Sequence, residues 1–489
     1  LEGSVQKVSN RVRVHAQLIK GATGLHEWAD QYDGELADVL GIQSDIAKRI
    51  VAQLKVRLSP EVRAAIEELP TSDFAAYDLY VRAKGLIYDS VYGPRGQDDL
   101  LEAVQMLERA VARDPDFFLA YYRLAEAQDE IYQRFDPTPT RLALAEKTLT
   151  ALRRLRPDSG ETHHALARHY SRVLHDNRRA RAELEIAQRL LPNESEIPSA
   201  LGQLDRREGH WEDSTRNLQR ALALDPQNAS IPVQIAMSDF QLRRFPEMAA
   251  MLDRSLALDP NNLAIRGLRA EVDLDWRADT APLHAFVEAI VNRDPAGAAT
   301  IADFWMDLSI YERDPAEAKR ALNFLGENAC NVERIPFPRS WCEGLAARLR
   351  GDETGGRTAF TQTLTEAEAL VRAHPADGGA NCVLGMAHAA LGHKEEAVRY
   401  GRRAVELLPI NQDALNGPLA MGYLAVIYAW VGEKDLAFEQ LTAATSVPSF
   451  WCYGNLRLHP YWDSLRDDPR FQKILERLAP SGNSSPPAL

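Results

Sequence analysis

Histidines, cysteines and adjacent carboxylates are the side chains of this 489-residue chain whose types and spacing suggest chemistry. Metal ligands on one helix face recur every three or four residues, and His163, His164, His169 and His175 do not supply that set. There is no His-Glu-x-x-His string. Cys330, Cys342, Cys382 and Cys452 lie too far apart for a CxxC pair, and each reads as a small buried residue. Cys330 and Cys342 pair only if the fold brings them together. Gly351-Asp352-Glu353-Thr354-Gly355-Gly356-Arg357 is glycine-rich, but no Gly-Lys-Ser/Thr follows, so it reads as a loop between helices. Glu395-Glu396 and Asp467-Asp468 are expected at helix starts or on exposed faces, where the helix dipole and water account for them. No nucleophile elbow is present. The sequence therefore assigns no catalytic residue, no cofactor and no metal ligand, and any catalytic domain is expected outside this chain.

Charge and composition narrow the class. The formal charge is 57 − 70 = −13, with 45% hydrophobic and 26% charged residues. That is the composition of a folded protein, and its acidity argues against direct nucleic-acid binding by bulk electrostatics. Residues 141–190 run the other way, with 11 Lys+Arg against 6 Asp+Glu. A solvated helix face explains that stretch, and a patch receiving an acidic partner segment is the alternative. No signal peptide follows Leu1-Glu2-Gly3, and the chain reads as beginning inside a domain. The longest uncharged stretch, Ala414 to Gly432, is 19 residues long and touches the length of a membrane span. It also fits a buried repeat helix, and that is the expectation taken here.

The elements that position these residues come from a repeat. Proline recurs at Pro115, Pro157, Pro192, Pro226, Pro260, Pro295, Pro375 and Pro409, at intervals of 42, 35, 34, 34, 35, 80 and 34. The interval of 42 contains an insertion around Phe135-Asp136-Pro137-Thr138-Pro139, and that of 80 holds two units, one degenerate. Leu384, Gly385, Gly392, Ala397 and Ala404 stand at the offsets held by Leu201, Gly202, Gly209 and Ala221, and by Leu424, Ala425, Gly432, Ala437 and Ala444. Small residues let two helices approach, large ones fill between them, and proline ends the second helix. A helix pair of this kind leaves an apolar face open, so neighbours must stack. The spacing and residues resemble the tetratricopeptide-repeat (TPR) family over about 71–448, with eight to ten repeats and weak registers around 260–375. The resemblance implies a mainly α, right-handed superhelical solenoid with a concave binding surface. Arg243 and Met248 depart from it where Gly and Ala are expected, and Asp279–Ala299 holds no clean unit. Chaperone-binding members carry Lys and Asn at fixed inner positions. Here those positions hold Cys382 and Met386, or Ser199 and Gln203, so that clamp is absent.

The first sixty residues read differently. Gly3–Val8 and Arg11–Ile19 alternate around Ser9-Asn10, with Val12, Val14, Ala16 and Leu18 on one face, as in an antiparallel hairpin. Gly21–Gly24 is a second turn and Leu25–Tyr32 a third strand. Apolar residues at 42, 46, 50, 54 and 58 then mark a helix closed by Ser59-Pro60. Leu1-Glu2-Gly3-Ser4-Val5, Asn10-Arg11-Val12-Arg13-Val14, Ala16-Gln17-Leu18-Ile19, Trp28-Ala29, Gln31-Tyr32-Asp33 and Ile42-Gln43-Ser44-Asp45-Ile46-Ala47 resemble the last part of the TolB-like domain fused to such repeats in bacterial signalling proteins. That resemblance implies an effector upstream: a winged-helix, cyclase or kinase domain. The strand at 3–8 has an open edge, which predicts self-association.

At the other end, Asp468 is expected to cap a helix whose Phe471, Ile474, Leu475 and Leu478 lie on the last repeat. The expected organisation is a partial TolB-like α+β segment at 1–60, a repeat array at 71–448, a capping segment at 449–480 and a disordered tail at 481–489. The expected function is a non-catalytic scaffold or sensory module of a bacterial signalling or regulatory protein. It would bind a protein or peptide on the concave surface, without cofactor, membrane span or nucleic acid. A small-molecule sensor and an enzyme with an unrecognised site are the alternatives. The expected compartment is cytoplasmic, or periplasmic if a transmembrane helix lies upstream.

Overall fold

The computed structural model describes residues 2–9, 11–20, 25–35, 39–53, 68–92, 96–326, 330 and 335–480. The turn at Gly21–Gly24, the helix end at Ser59-Pro60 and the tail from Ser481 lie outside them. The chain divides into two compact units, one of residues 1–91 with 95–175, the other of 92–94 with 176–489. This division does not separate the first sixty residues from the earliest repeats.

The first unit opens with strands β1 (Glu2–Val8), β2 (Arg11–Lys20) and β3 (Leu25–Glu35), in the order β1-β2-β3. Both pairings are antiparallel, with Val8 opposite Arg11 and Val14 opposite Tyr32. Alternation puts Val12 and Ala16 on the buried face, while Val5 and Val8 of β1 remain exposed. Helix α1 (Val39–Gln53) packs on this sheet, with Arg49 bonded to Asp30 and lying over the Tyr32 ring. Its Gln43 accepts a hydrogen bond from Tyr77 Oη at 3.1 Å, joining it to the repeats.

Those repeats begin with α2 (Phe74–Tyr92), α3 (Gly96–Arg113), α4 (Phe118–Arg134), α5 (Pro139–Leu155) and α6 (Gly160–Arg172). The helix termini follow local chemistry. Thr138 and Ser159 cap α5 and α6 through their hydroxyls, and Pro139 occupies the first turn of α5, where no N–H is missed.

The second unit continues with α7 (Asn177–Leu190), α8 (Glu196–Arg207), α9 (Trp211–Leu224), α10 (Ser230–Gln241), α11 (Phe245–Leu258), α12 (Leu263–Arg277) and α13 (Ala281–Val291). Where the sequence shows no clean unit, α13 is followed by a short extra helix, α14 (Pro295–Thr300). Helices α15 (Ala302–Tyr311), α16 (Pro315–Leu322), α17 (Arg339–Leu349), α18 (Glu353–Ala373), α19 (Gly378–Leu391), α20 (Lys394–Leu407), α21 (Asn416–Trp430) and α22 (Lys434–Thr445) complete the pairs. The chain then adds α23 (Tyr453–Leu458), a 3-10 turn (Pro460–Leu465) and α24 (Pro469–Leu478). The fold is mainly α, a helix–turn–helix array with one small sheet.

Packing explains the pattern. Gly202 meets Leu218, Gly344 meets Phe360, and Gly385 meets the backbone of Ala397 and Gly401, so the two helices of each pair close against one another. Buried Ala397, Ala404, Ala437 and Ala444 keep that spacing. Helix α21 is buried along almost its whole length, which accounts for its lack of charge. No helix among the described residues is long and apolar enough to cross a membrane.

One expectation needs correction. The glycine-rich stretch is not all loop. Asp352 accepts a hydrogen bond from Gly355 N at 2.8 Å, so Glu353 onward is already α18. All four cysteines are buried, as expected. The pairing that the sequence leaves open is made: Cys330 and Cys342 form a disulfide with Cα atoms 5.9 Å apart, and Cys330 also pairs with Phe337, just ahead of α17. Cys382 and Cys452 are buried thiols.

Candidate functional site

First helices of successive pairs touch: α4 with α6, α8 with α10, α15 with α17, and α19 with α21. Second helices do not pack on one another to that extent. Side chains at every fourth position of the first helices therefore face one another across the layer.

In the first unit this layer carries a polar seam. Tyr122, Glu126 and Glu130 on α4 lie opposite His164, Arg168 and Arg172 on α6. Tyr122 Oη is 2.7 Å from His164 Nδ1. Glu126 accepts from Arg123 at 2.6 Å and faces Arg168 at 3.2 Å, and Glu130 pairs with Arg172. Both Arg123 and Arg168 lie over the Tyr122 ring, at 4.9 and 5.6 Å from its centroid. Alongside the seam, Asp129 Oδ1 meets His169 Nδ1 at 2.9 Å, and both groups are buried. Burial alone would raise the Glu126 carboxyl, but Arg168 and Arg123 outweigh it and hold the group down at about 2. The histidine cluster is thus split: His164 and His169 are engaged by α4. Part of the basic excess at 141–190 is answered in the same unit, by Asp136 on Arg141 and Glu126 on Arg168.

In the second unit, Ser199 and Gln203 are half-buried on α8, with Gln203 Nε2 donating to Ser199 Oγ at 3.4 Å. Arg206 crosses to α10, donating to Gln234 O at 2.9 Å and to Ser238 Oγ at 3.2 Å. Cys382 and Met386, the corresponding positions of α19, are buried. Asp205, Glu208 and His210 bring three potential metal-ligand atoms within 4.8 Å of one another. Arg181 already donates to Asp205 at 2.6 Å and to Glu208, and Asn217 donates to Asp205 at 2.7 Å. One guanidinium thus bonds both carboxylates and offsets one of their two charges.

The second unit also binds its own C-terminal segment. The repeat turns at Gly209, Gly392 and Gly432 have φ between +81° and +86°. Arg243 and Arg313 hold equivalent turns at φ +57°, a left-handed backbone that costs a non-glycine residue about 1–2 kcal/mol. Each side chain reaches the C-terminal segment. Arg243 donates to Val447 O, Ser449 Oγ and Trp451 O, and Arg313 grips Asp463 through two bonds of 2.7 and 2.8 Å. Ser449 N donates to Gln241 O, and Cys452 Sγ lies 3.3 Å from Asp275 Oδ1. Earlier in the chain, Ala414 N donates to Arg207 O at 2.8 Å. Trp451, Trp462, Tyr461 and Phe471 are buried, with α24 against α22. Sequence reading flagged Arg243 as a departure from pattern. It missed the seam, whose signal is three residue pairs 42 apart, the interval between Pro115 and Pro157.

No family model matches the chain. A protein of Rhizobium meliloti (strain 1021) named as an adenylate cyclase is 35% identical over 147 residues, 30% of this chain and 24% of that protein. The chain thus matches about a quarter of that relative's length. Among solved structures, the Thermus thermophilus TPR protein TTC0263 aligns over 41% of this chain and 100% of its own, at 20% identity and TM-score 0.34. A tetratricopeptide-repeat protein of Parabacteroides merdae covers 54% of this chain and 98% of its own, at 15% identity and TM-score 0.35. Human IFIT1, in a dimer with m7Gppp-AAAA, covers 75% of this chain and 77% of its own, at 13% identity and TM-score 0.42.

Proposed function

We propose that the chain is a non-catalytic interaction scaffold, the sensory half of a bacterial signalling or regulatory protein, and that it binds a protein or peptide partner across its first-helix faces. The observation that carries this reading is the packing of first helix on first helix, α8 on α10 in the second unit, which leaves Ser199 and Gln203 half-exposed on α8. Their amide and hydroxyl groups suit hydrogen bonding to a peptide backbone. The acidic surface favours a partner other than nucleic acid. The TolB-like residues and the relative named as a cyclase support a signalling context, with the effector supplied upstream. The Cys330–Cys342 disulfide favours the periplasmic alternative over the cytoplasm, because disulfides persist where conditions are oxidising.

Peptide display on the purified chain tests this. Enriched peptides are expected to lose at least about tenfold in affinity, or about 1.4 kcal/mol, in Gln203→Arg and to keep it in Gln219→Arg on the outer helix. No enrichment, or equal binding by both variants, contradicts the reading. Conversion of ATP by the purified chain would instead favour an enzyme.

A further inference from the structure

An open cleft of about 370 Å³ in the second unit is lined by Arg243, Thr445, Ser446, Arg477 and Leu478. Its two guanidiniums come from different elements, the turn after α10 and the helix α24. Neither has a carboxylate partner among the described residues. Arg243 donates only to backbone carbonyls and the Ser449 hydroxyl, through Nε and Nη2, which leaves Nη1 unused. Arg477 donates to Ser446 Oγ at 3.1 Å and to Thr445 Oγ1, which leaves Nε unused. The two hydroxyls turn their own protons to the helix, to Leu441 O and Thr442 O, so they face the arginines as acceptors. Burial presses the Arg243 guanidinium below its usual range, with Cys452 opposing and the like charge of Arg477 adding to it. Two adjoining cations without an acid, in a chain where acids outnumber bases, make a site that an anion neutralises.

We propose that this cleft binds the phosphate group of a small phosphomonoester. Two guanidiniums match a dianion, and their fixed N–H forks suit phosphate oxygens. The volume falls in the range of small-molecule sites and exceeds what a bare phosphate fills. Leu478 provides an apolar wall for the organic part. This site is separate from the proposed partner surface, and its failure leaves that reading untouched.

Calorimetric titration of the full chain with glycerol 3-phosphate tests it, with glycerol and potassium chloride at matched ionic strength as controls. Binding in the range of about 1 mM or tighter is expected, weakened at least about tenfold by Arg477→Gln. Arg477 is exposed and gives up only its two bonds to hydroxyls, so that variant should stay folded and melt only slightly below the parent without ligand. Arg243→Lys, which keeps the charge and loses the fork, should weaken binding similarly. Heat no greater than with glycerol, or unchanged affinity in Arg477→Gln, overturns the site. Equal affinity for inorganic phosphate overturns the ester assignment.

Discussion

Glu126 and Asp239 are both carboxylates removed from water, and they differ in what surrounds them. Glu126 is held at about 2 by Arg168 and Arg123 against the effect of burial. Its depressed value means that it contributes stability above its unfolded pKa of about 4.5, and that this is lost as pH falls towards 2. Glu126→Gln should therefore lower the thermal midpoint at neutral pH and flatten the acid limb between those values. A melt series from pH 2 to 7 with an unaltered acid limb would contradict the seam. Asp239 occupies the repeat position of Asp205, 34 residues on, but no side chain bonds its carboxylate among the described residues. Burial, with Glu247 assisting and Arg244 opposing, pushes it up to about 6. A raised carboxyl costs stability as pH rises from about 4 to 6, and the cost is full above that. Asp239→Asn should thus raise the thermal midpoint at pH 7.5 and give no gain at pH 4. The contrast was not legible in the sequence, because Asp205 is answered by Arg181 from another helix pair, 24 residues earlier.

At the scale of elements, helix pairs were legible because proline, glycine and alanine recur at fixed offsets. The hairpin was legible from strict alternation. The C-terminal segment reads in sequence as a cap on the last repeat, and its attachment to distant turns leaves no local signal. Arg243 and Ser449 are 206 residues apart, and Arg313 and Asp463 are 150 apart. Two glycines set how closely that segment docks. A Cβ on Gly422 would stand 1.9 Å from Trp451, and one on Gly454 would stand 1.7 Å from Leu274 O. Gly454→Ala is the sharper test, since backbone rather than a movable side chain lies in its path. It should destabilise the second unit by at least about 1–3 kcal/mol, the range for overpacking. Limited proteolysis should then release residues after 446. An unchanged digestion pattern would contradict the docking.

For the whole molecule, the fold class was legible and the ligand was not, since binding surfaces of a repeat array are set by which side chains the stacking leaves uncovered. The disulfide was invisible for a related reason: sequence separation does not report Cα distance. Thiol labelling of the unfolded, unreduced chain should therefore modify Cys382 and Cys452 alone, and all four cysteines after reduction. Four labelled thiols without reductant would remove the argument for an oxidising compartment. The central claim concerns the first-helix face. A photo-crosslinking residue at Ser199 or Gln203, compared with one at Gln219, in cells expressing the full-length protein tests it most directly. The account predicts a discrete protein adduct from the two inner positions and none from the outer one. Adducts of the same mass from all three positions, or from Gln219 alone, would contradict it.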